Sequence, residues 1–158
     1  GEIHALYQRG ERGFLPLLAR VPVAGRDPDR LVVSLGSIGI PAYKAGNDVF
    51  VGDLGGLAEP LAARTSIVPG RAAGHRKQVD GAWYDARFAA APRGAKADAG
   101  VRALACSPLS DLIKAIDDPL TPGRFATNIW KSFSFTRLHI DANPIRAERD
   151  LCRRTGAG

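Results

Sequence analysis

The chain has 158 residues, 45% of them hydrophobic, which is enough for one domain with a buried core and too apolar for wholesale disorder. Its net charge of +6 comes from 22 basic and 16 acidic residues scattered along the sequence. Such a surface suits anionic lipid headgroups or an acidic polymer, and it suits plain solubility equally well. There is no RNP, helix-turn-helix or zinc-finger pattern, so no nucleic-acid partner is expected. No signal peptide is visible, and no apolar stretch is long enough to cross a bilayer. The chain has no methionine and opens on Gly1. This is what a segment cut from a longer, membrane-anchored protein would show.

In chain order, residues 1–20 hold a broken helical pattern (Ile3, Leu6 and Tyr7, then Leu15, Leu17 and Leu18) interrupted by Gly10 and Gly13. It reads as the run-out of a preceding transmembrane helix. Pro22 to Asp29 is rich in turn residues and reads as a linker. The expected division is therefore a membrane-proximal remnant and linker over 1–30 and a soluble domain over 31–158. Leu31 to Leu35 is uncharged and rich in β-branched residues, so it reads as a buried strand. Asp48 to Asp53 reads as a second strand after the turn signal Gly46-Asn47, and Leu57 to Arg64 as a short helix. Strand, crossover, strand and helix predict a parallel pair. Gly81 to Phe88 reads as one or two helical turns, and residues 91–100 as a mobile surface loop.

The last third is helical. Leu109, Leu112, Ile113 and Ile116 give helix 108–117 an apolar face, and Phe125, Ile129 and Phe133 repeat at i+4 in helix 122–132. Phe135 to Ile140 alternates as an edge strand would, and a last helix spans 144–153. Three helix starts are written alike, as Ser107-Pro108, Thr121-Pro122 and Asn143-Pro144. Each puts a polar cap before a proline whose missing N–H is not needed there. Cys106 and Cys152 bracket this unit in an otherwise cysteine-free chain, so a disulfide stapling its ends is expected. A structural disulfide implies an oxidising compartment. The fold class is α+β or α/β, with short, mostly parallel strands, flanking helices and a disulfide-stapled helical C-terminal third.

Candidates for chemistry are few. Gly36-Ser37-Ile38-Gly39 lacks the third glycine of a dinucleotide fingerprint and any Gly-Lys-Ser/Thr, so the glycines read as a tight turn. Three histidines far apart in sequence, with no Cys-x-x-Cys, do not make a metal site, and no nucleophile elbow is present. No catalytic residue and no cofactor are expected within this chain. Gly74-His75-Arg76-Lys77 is the densest polar cluster. His75, Arg76 and Lys77 supply donors for sugar hydroxyls, and Trp83, with Tyr84 and Trp130 as further candidates, supplies a flat apolar face for a sugar ring. A solvated basic turn and a core tryptophan are the plain alternatives.

Two stretches carry a family resemblance. One is Val49-Phe-Val-Gly-Asp53-Leu-Gly-Gly-Leu57-Ala-Glu-Pro60-Leu-Ala-Ala-Arg64, followed by Pro69-Gly70 and Gly74-His75. The other is Asp118-Pro-Leu-Thr-Pro122-Gly-Arg-Phe125-Ala-Thr-Asn-Ile-Trp130. Together they resemble the extracytoplasmic C-terminal region of actinobacterial integral-membrane arabinofuranosyltransferases of the GT-C type, closest to the terminal arabinofuranosyltransferase family of mycobacterial cell-wall synthesis. The resemblance spans roughly residues 31–152. It implies a polyprenyl-phosphate arabinose donor, an arabinan acceptor, and a catalytic acid in a membrane part that this chain lacks. Val79 to Tyr84 departs from the proline-containing stretch of that family.

The expected role is a periplasmic domain, inactive alone, that binds acceptor or supports the active site beside its own transmembrane domain. A free-standing periplasmic carbohydrate-binding module and a small secreted glycan hydrolase are the alternatives.

Overall fold

The computed structural model describes residues 2–10, 23–35, 38–70 and 77–154. Its centre is a three-stranded sheet of order β1-β2-β3, formed by Val23–Ala24, Leu31–Leu35 and Val49–Asp53. All five residues of β2 are buried, which is why this uncharged run takes the middle position. β3 pairs with β2 in parallel, with Leu31 opposite Val49 and Leu35 opposite Asp53. A parallel pair needs a crossover, and α2 (Gly39–Ala45) supplies it. β1 is antiparallel to β2, so the segment expected as a linker lends the sheet an edge.

Side chains alternate across a strand, and the sheet is therefore covered on both faces. Leu31, Val33 and Val49 cluster with Ile3 of α1 (Glu2–Gln8) and Ala45 of α2. A 2.8 Å contact between His4 Nδ1 and Asp48 Oδ2 pins α1 to the turn before β3. Val32 points the other way, into a larger cluster with Trp83, Tyr84, Leu109, Phe135 and Leu151.

That second layer consists of α3 (Ala82–Phe88), α4 (Ala95–Ala105), α5 (Leu109–Asp117), α6 (Pro122–Thr136) and α7 (Pro144–Arg154). α4 lies at its centre and packs on α3, α5 and α7. It buries only small residues, Ala97, Ala99, Gly100 and Ala103. A Cβ on Gly100 would lie 2.8 Å from the Ala86 Cβ, so α3 and α4 pack closely at a position that only glycine fits. The expected loop over 91–100 is thus largely wrong: the helix begins at Ala95, and its alanine-rich sequence shows no apolar stripe because close packing requires none. The Cys106–Cys152 disulfide is present, with Cα atoms 5.3 Å apart, and joins the C-terminal end of α4 to α7. It closes a sequence separation of 46 residues, which chain-entropy arguments value on the order of 4 kcal/mol.

Two of the three expected helix starts form as read. Thr121 accepts the Arg124 N–H with Pro122 at the first turn, and the Asn143 side chain accepts the Ile145 N–H at 3.0 Å. At the third, the Ser107–Pro108 peptide is cis and the helix begins at Leu109. The expected helix over 57–64 shrinks to one 3-10 turn, Ala62–Arg64. The expected strand over 135–140 does not form, because α6 continues to Thr136. Phe133 and Phe135 alternate there because they lie on opposite sides of a helix, one exposed and one buried.

Candidate functional site

His75 and Arg76 lie outside the described residues, as do Gly36 and Ser37. Lys77 is described, and its Nζ donates to the Ala63 carbonyl of the 3-10 turn. Lys77 also bridges Ile67. Lys77 is therefore tied to the turn at Ala62–Arg64. Trp83 corrects the sequence reading. It is 0% exposed, and its indole N–H donates to the Ala142 carbonyl at 3.1 Å. It lies on the inner side of α3 with Tyr84 and Leu61, so it has no face for a sugar ring. The other tryptophan, Trp130, is 81% exposed.

The acidic and basic residues of the 49–64 stretch hold the loop together. Asp53 ends β3 and is buried. Its carboxylate accepts N–H groups from Gly55 at 2.8 Å, Leu57 at 2.6 Å and Ala58 at 2.9 Å. These three bonds bend the chain away from the helix that its sequence favours. The Tyr84 hydroxyl donates to the Asp53 carbonyl at 2.6 Å. Gly52 makes room for that ring, since a Cβ there would lie 2.5 Å from Tyr84 Cδ1. Burial, with the charges of Glu59 and Asp53, pushes the Tyr84 hydroxyl far above its ordinary range. It is therefore a permanent donor.

Glu59 is buried and paired with Arg87 Nη1 at 3.1 Å. Burial raises the Glu59 carboxyl above its usual value, and the Arg87 charge opposes that rise. Arg87 Nη2 reaches Asp117 of α5 at 2.5 Å, and its guanidinium lies 4.7 Å from the Phe88 ring centre. Arg87 thus links the loop, α3 and α5. Arg64 donates to the Phe135 carbonyl at 3.1 Å and to the Pro60 carbonyl at 2.8 Å. Burial lowers its pKa. This stretch is a bracket between the sheet and the helical layer, and its charged groups already have partners.

A polar groove lies between the 139–141 segment and α7. It encloses about 230 Å³. His139, Asp141, Arg149, Asp150 and Arg153 line its walls over an apolar floor of Ile140, Ala147 and Leu151. His139 Nδ1 faces the Arg137 carbonyl at 3.3 Å. Asp141 accepts the Asn143 N–H at 2.7 Å and lies 3.3 Å from Arg146 Nε. Imidazole, guanidinium and carboxylate groups around a shallow volume can exchange hydrogen bonds with a hydroxyl-rich ligand. The sequence reading passed over this groove. Its signal was Arg149 and Arg153 one turn apart on a helix, with His139 ten residues before the first of them.

Among the described residues, no group of three or more His, Cys, Asp or Glu side chains is placed to hold a metal ion, and no helix is long and apolar enough to cross a membrane. A family model described as the AftB family C-terminal domain matches residues 18–149. No curated protein sequence and no solved structure matches the chain.

Proposed function

The chain belongs to the AftB family, as its C-terminal domain, and on that premise we propose that it is the periplasmic portion of an actinobacterial GT-C membrane arabinofuranosyltransferase. In this reading the whole enzyme transfers arabinofuranose from a polyprenyl-phosphate donor to cell-wall arabinan. The isolated domain has no transfer activity, and it holds the acceptor glycan beside the active site of the membrane part. The family match is the observation that carries the reading. The Cys106–Cys152 disulfide supports an extracytoplasmic location, because such bonds persist in oxidising compartments.

Two surfaces are the acceptor contacts to test. One is the groove of His139, Arg149 and Arg153; the other is the sequence cluster of His75, Arg76 and Lys77. Arabinan is uncharged and rich in hydroxyls, so its contacts are hydrogen bonds, worth about 1–3 kcal/mol at a well-formed site. Chemical-shift mapping with oligo-arabinofuranosides should therefore move resonances at one of the two surfaces. Arg149→Ala with Arg153→Ala, or His75→Ala with Arg76→Ala, should weaken binding about tenfold. The same changes should lower acceptor use by the full-length enzyme. Unmoved spectra at both surfaces would overturn acceptor binding. Release of arabinose by the isolated chain would point instead to a hydrolase.

A further inference from the structure

α6 is turned nearly inside out, with Phe135 alone of its large apolar side chains buried. Toward α5 it presents polar groups. Arg124 pairs with Asp118 at 2.8 Å, Asn128 donates to the Ala115 carbonyl at 3.1 Å, and Lys131 lies 3.4 Å from Asp111. Toward solvent it presents Phe125 (56% exposed), Ile129 (54%) and Phe133 (71%), spaced four residues apart, with Trp130 (81%) at the edge of the stripe. Leu120, just before the helix, is exposed as well. A helix in a water-soluble domain ordinarily does the reverse. A contiguous exposed stripe of this kind marks a surface that meets something else.

The chemistry of the face selects the occupant. Both charged side chains of α6 lie on the inward flank, so the outward arc is uncharged. The four hydroxyls of the helix all turn back onto its own carbonyls: Thr127 to Gly123, Ser132 to Ile129, Ser134 to Lys131 and Thr136 to Ser132, at 2.6–2.9 Å. Hydroxyls bonded in this way enter an apolar medium without an unpaired donor. A protein partner would ordinarily exchange about one hydrogen bond per 100–200 Å². This face offers little more than the indole N–H of Trp130, at its edge. A lipid surface asks for none, and tryptophan at the boundary is what its interfacial zone favours. Lys114 and Arg137 lie near the two ends of the helix, and the chain as a whole carries +6. That charge complements anionic headgroups.

We propose that α6 lies in the surface of the bilayer, with Phe125, Ile129, Trp130 and Phe133 inserted at the level of the headgroups and first methylenes. This mode is open to an amphipathic helix that does not span the membrane. The inference rests on the membrane-enzyme reading only for the presence of a bilayer nearby. It is independent of whether the domain binds glycan.

The test uses the 158-residue chain and two kinds of vesicle, phosphatidylcholine alone and an equal mixture with phosphatidylglycerol. Trp83 is sealed in the core, so a blue shift of the emission on adding vesicles reports Trp130. Co-sedimentation and that shift are expected with both vesicles, more strongly with the anionic ones. The Phe125→Ser/Phe133→Ser pair should weaken partitioning about tenfold or more while the far-UV circular dichroism stays that of the parent. Trp130→Phe should abolish the shift and keep co-sedimentation. Lys114→Glu with Arg137→Glu should reduce the preference for anionic vesicles. No binding to either vesicle, or binding indifferent to the serine pair, would overturn the proposal. Self-association that the serine pair abolishes, without vesicle binding, would assign the face to a second copy. Capture by the detergent-solubilised membrane part alone would assign it to protein. Lipid binding without any arabinan shifts would sink the acceptor reading and leave this one standing.

Discussion

Residues 49–64 and residues 118–133 both lie within the family match, yet the fold uses them in opposite ways. In the first stretch, Asp53, Glu59 and Arg64 turn inward and bind backbone carbonyls, backbone N–H groups and the buried Arg87. In the second, Phe125, Ile129, Trp130 and Phe133 turn outward, and the polar residues hold the helix from behind. A charged motif is easily taken for chemistry and an apolar stripe for core. Here the charged motif is the bracket, and the apolar stripe is the surface with something left to contact.

The sharpest way to break this contrast is to remove the inward pairing. Arg87→Ala leaves Glu59 buried without its cation and releases Asp117 from α3. Breaking a buried pair from one side costs about 3–5 kcal/mol, much of the total of about 5–15 kcal/mol that a domain possesses. The variant should melt far below the parent or fail to fold. Replacing both partners, as Arg87→Leu with Glu59→Leu, should recover part of the loss. A single Arg87→Ala protein that melts like the parent would mean the bracket is ornamental.

Asp53→Ala comes next. It removes the acceptor for the backbone N–H groups of Gly55, Leu57 and Ala58. A loss of about 2–3 kcal/mol is expected, with hydrogen exchange rising first at Gly55, Leu57 and Ala58. Asp53→Asn keeps one acceptor oxygen and should fall between. An unchanged exchange rate at Leu57 would show that the loop is held by packing instead.

How far the sequence reached follows from the kind of signal each element leaves. β2 was legible because a buried, uncharged run of five residues has few other readings, and β3 because Val49-Phe50-Val51 follows the turn signal Gly46-Asn47. The caps of α6 and α7 and the disulfide were legible because proline and cysteine carry backbone and covalent constraints with them. α4 was not, since helices in closest contact use alanine and glycine, which leave no stripe. The orientation of α6 was not, since an i+4 apolar repeat looks the same whether it faces core or solvent. The two tryptophans show the same limit. Trp83 and Trp130 are chemically identical, and only the packing of α3 against Leu61 and the outward turn of α6 distinguish them. The groove of His139 and Arg149 needed the 139–141 segment to be laid along α7, a tertiary fact.

A smaller effect should appear in the pH dependence. The folded state raises the Glu59 carboxyl above its ordinary value of 4.5, chiefly through burial. Between 4.5 and the raised value, the folded protein holds a proton that the unfolded chain has released. Stability from this group is therefore greatest below 4.5 and is lost as pH rises through that window. Glu59→Gln removes the slope. The melting temperature of the parent, measured against this variant, should gain on acidification from neutral pH. A parent advantage that grows toward neutral pH instead would mean that attraction to Arg87 outweighs desolvation.

The smallest stability effect is expected on the outward face, and its smallness is the point. Ile129→Ser and Phe133→Ser remove side chains that are 54% and 71% exposed. Substitutions on an open surface usually stay within about 0.5 kcal/mol of the parent. Serine is a poorer helix former than the best residues by only a few tenths of a kcal/mol, and here its hydroxyl can turn back onto the helix as Ser132 and Ser134 do. Chemical denaturation should therefore return nearly the parent midpoint, with the slope unchanged because no surface buried by the parent is exposed. A loss above about 1 kcal/mol for either change would mean that these side chains already pack against the domain. The stripe would then belong to the core, as its spacing alone suggests, and the contrast with residues 49–64 would disappear.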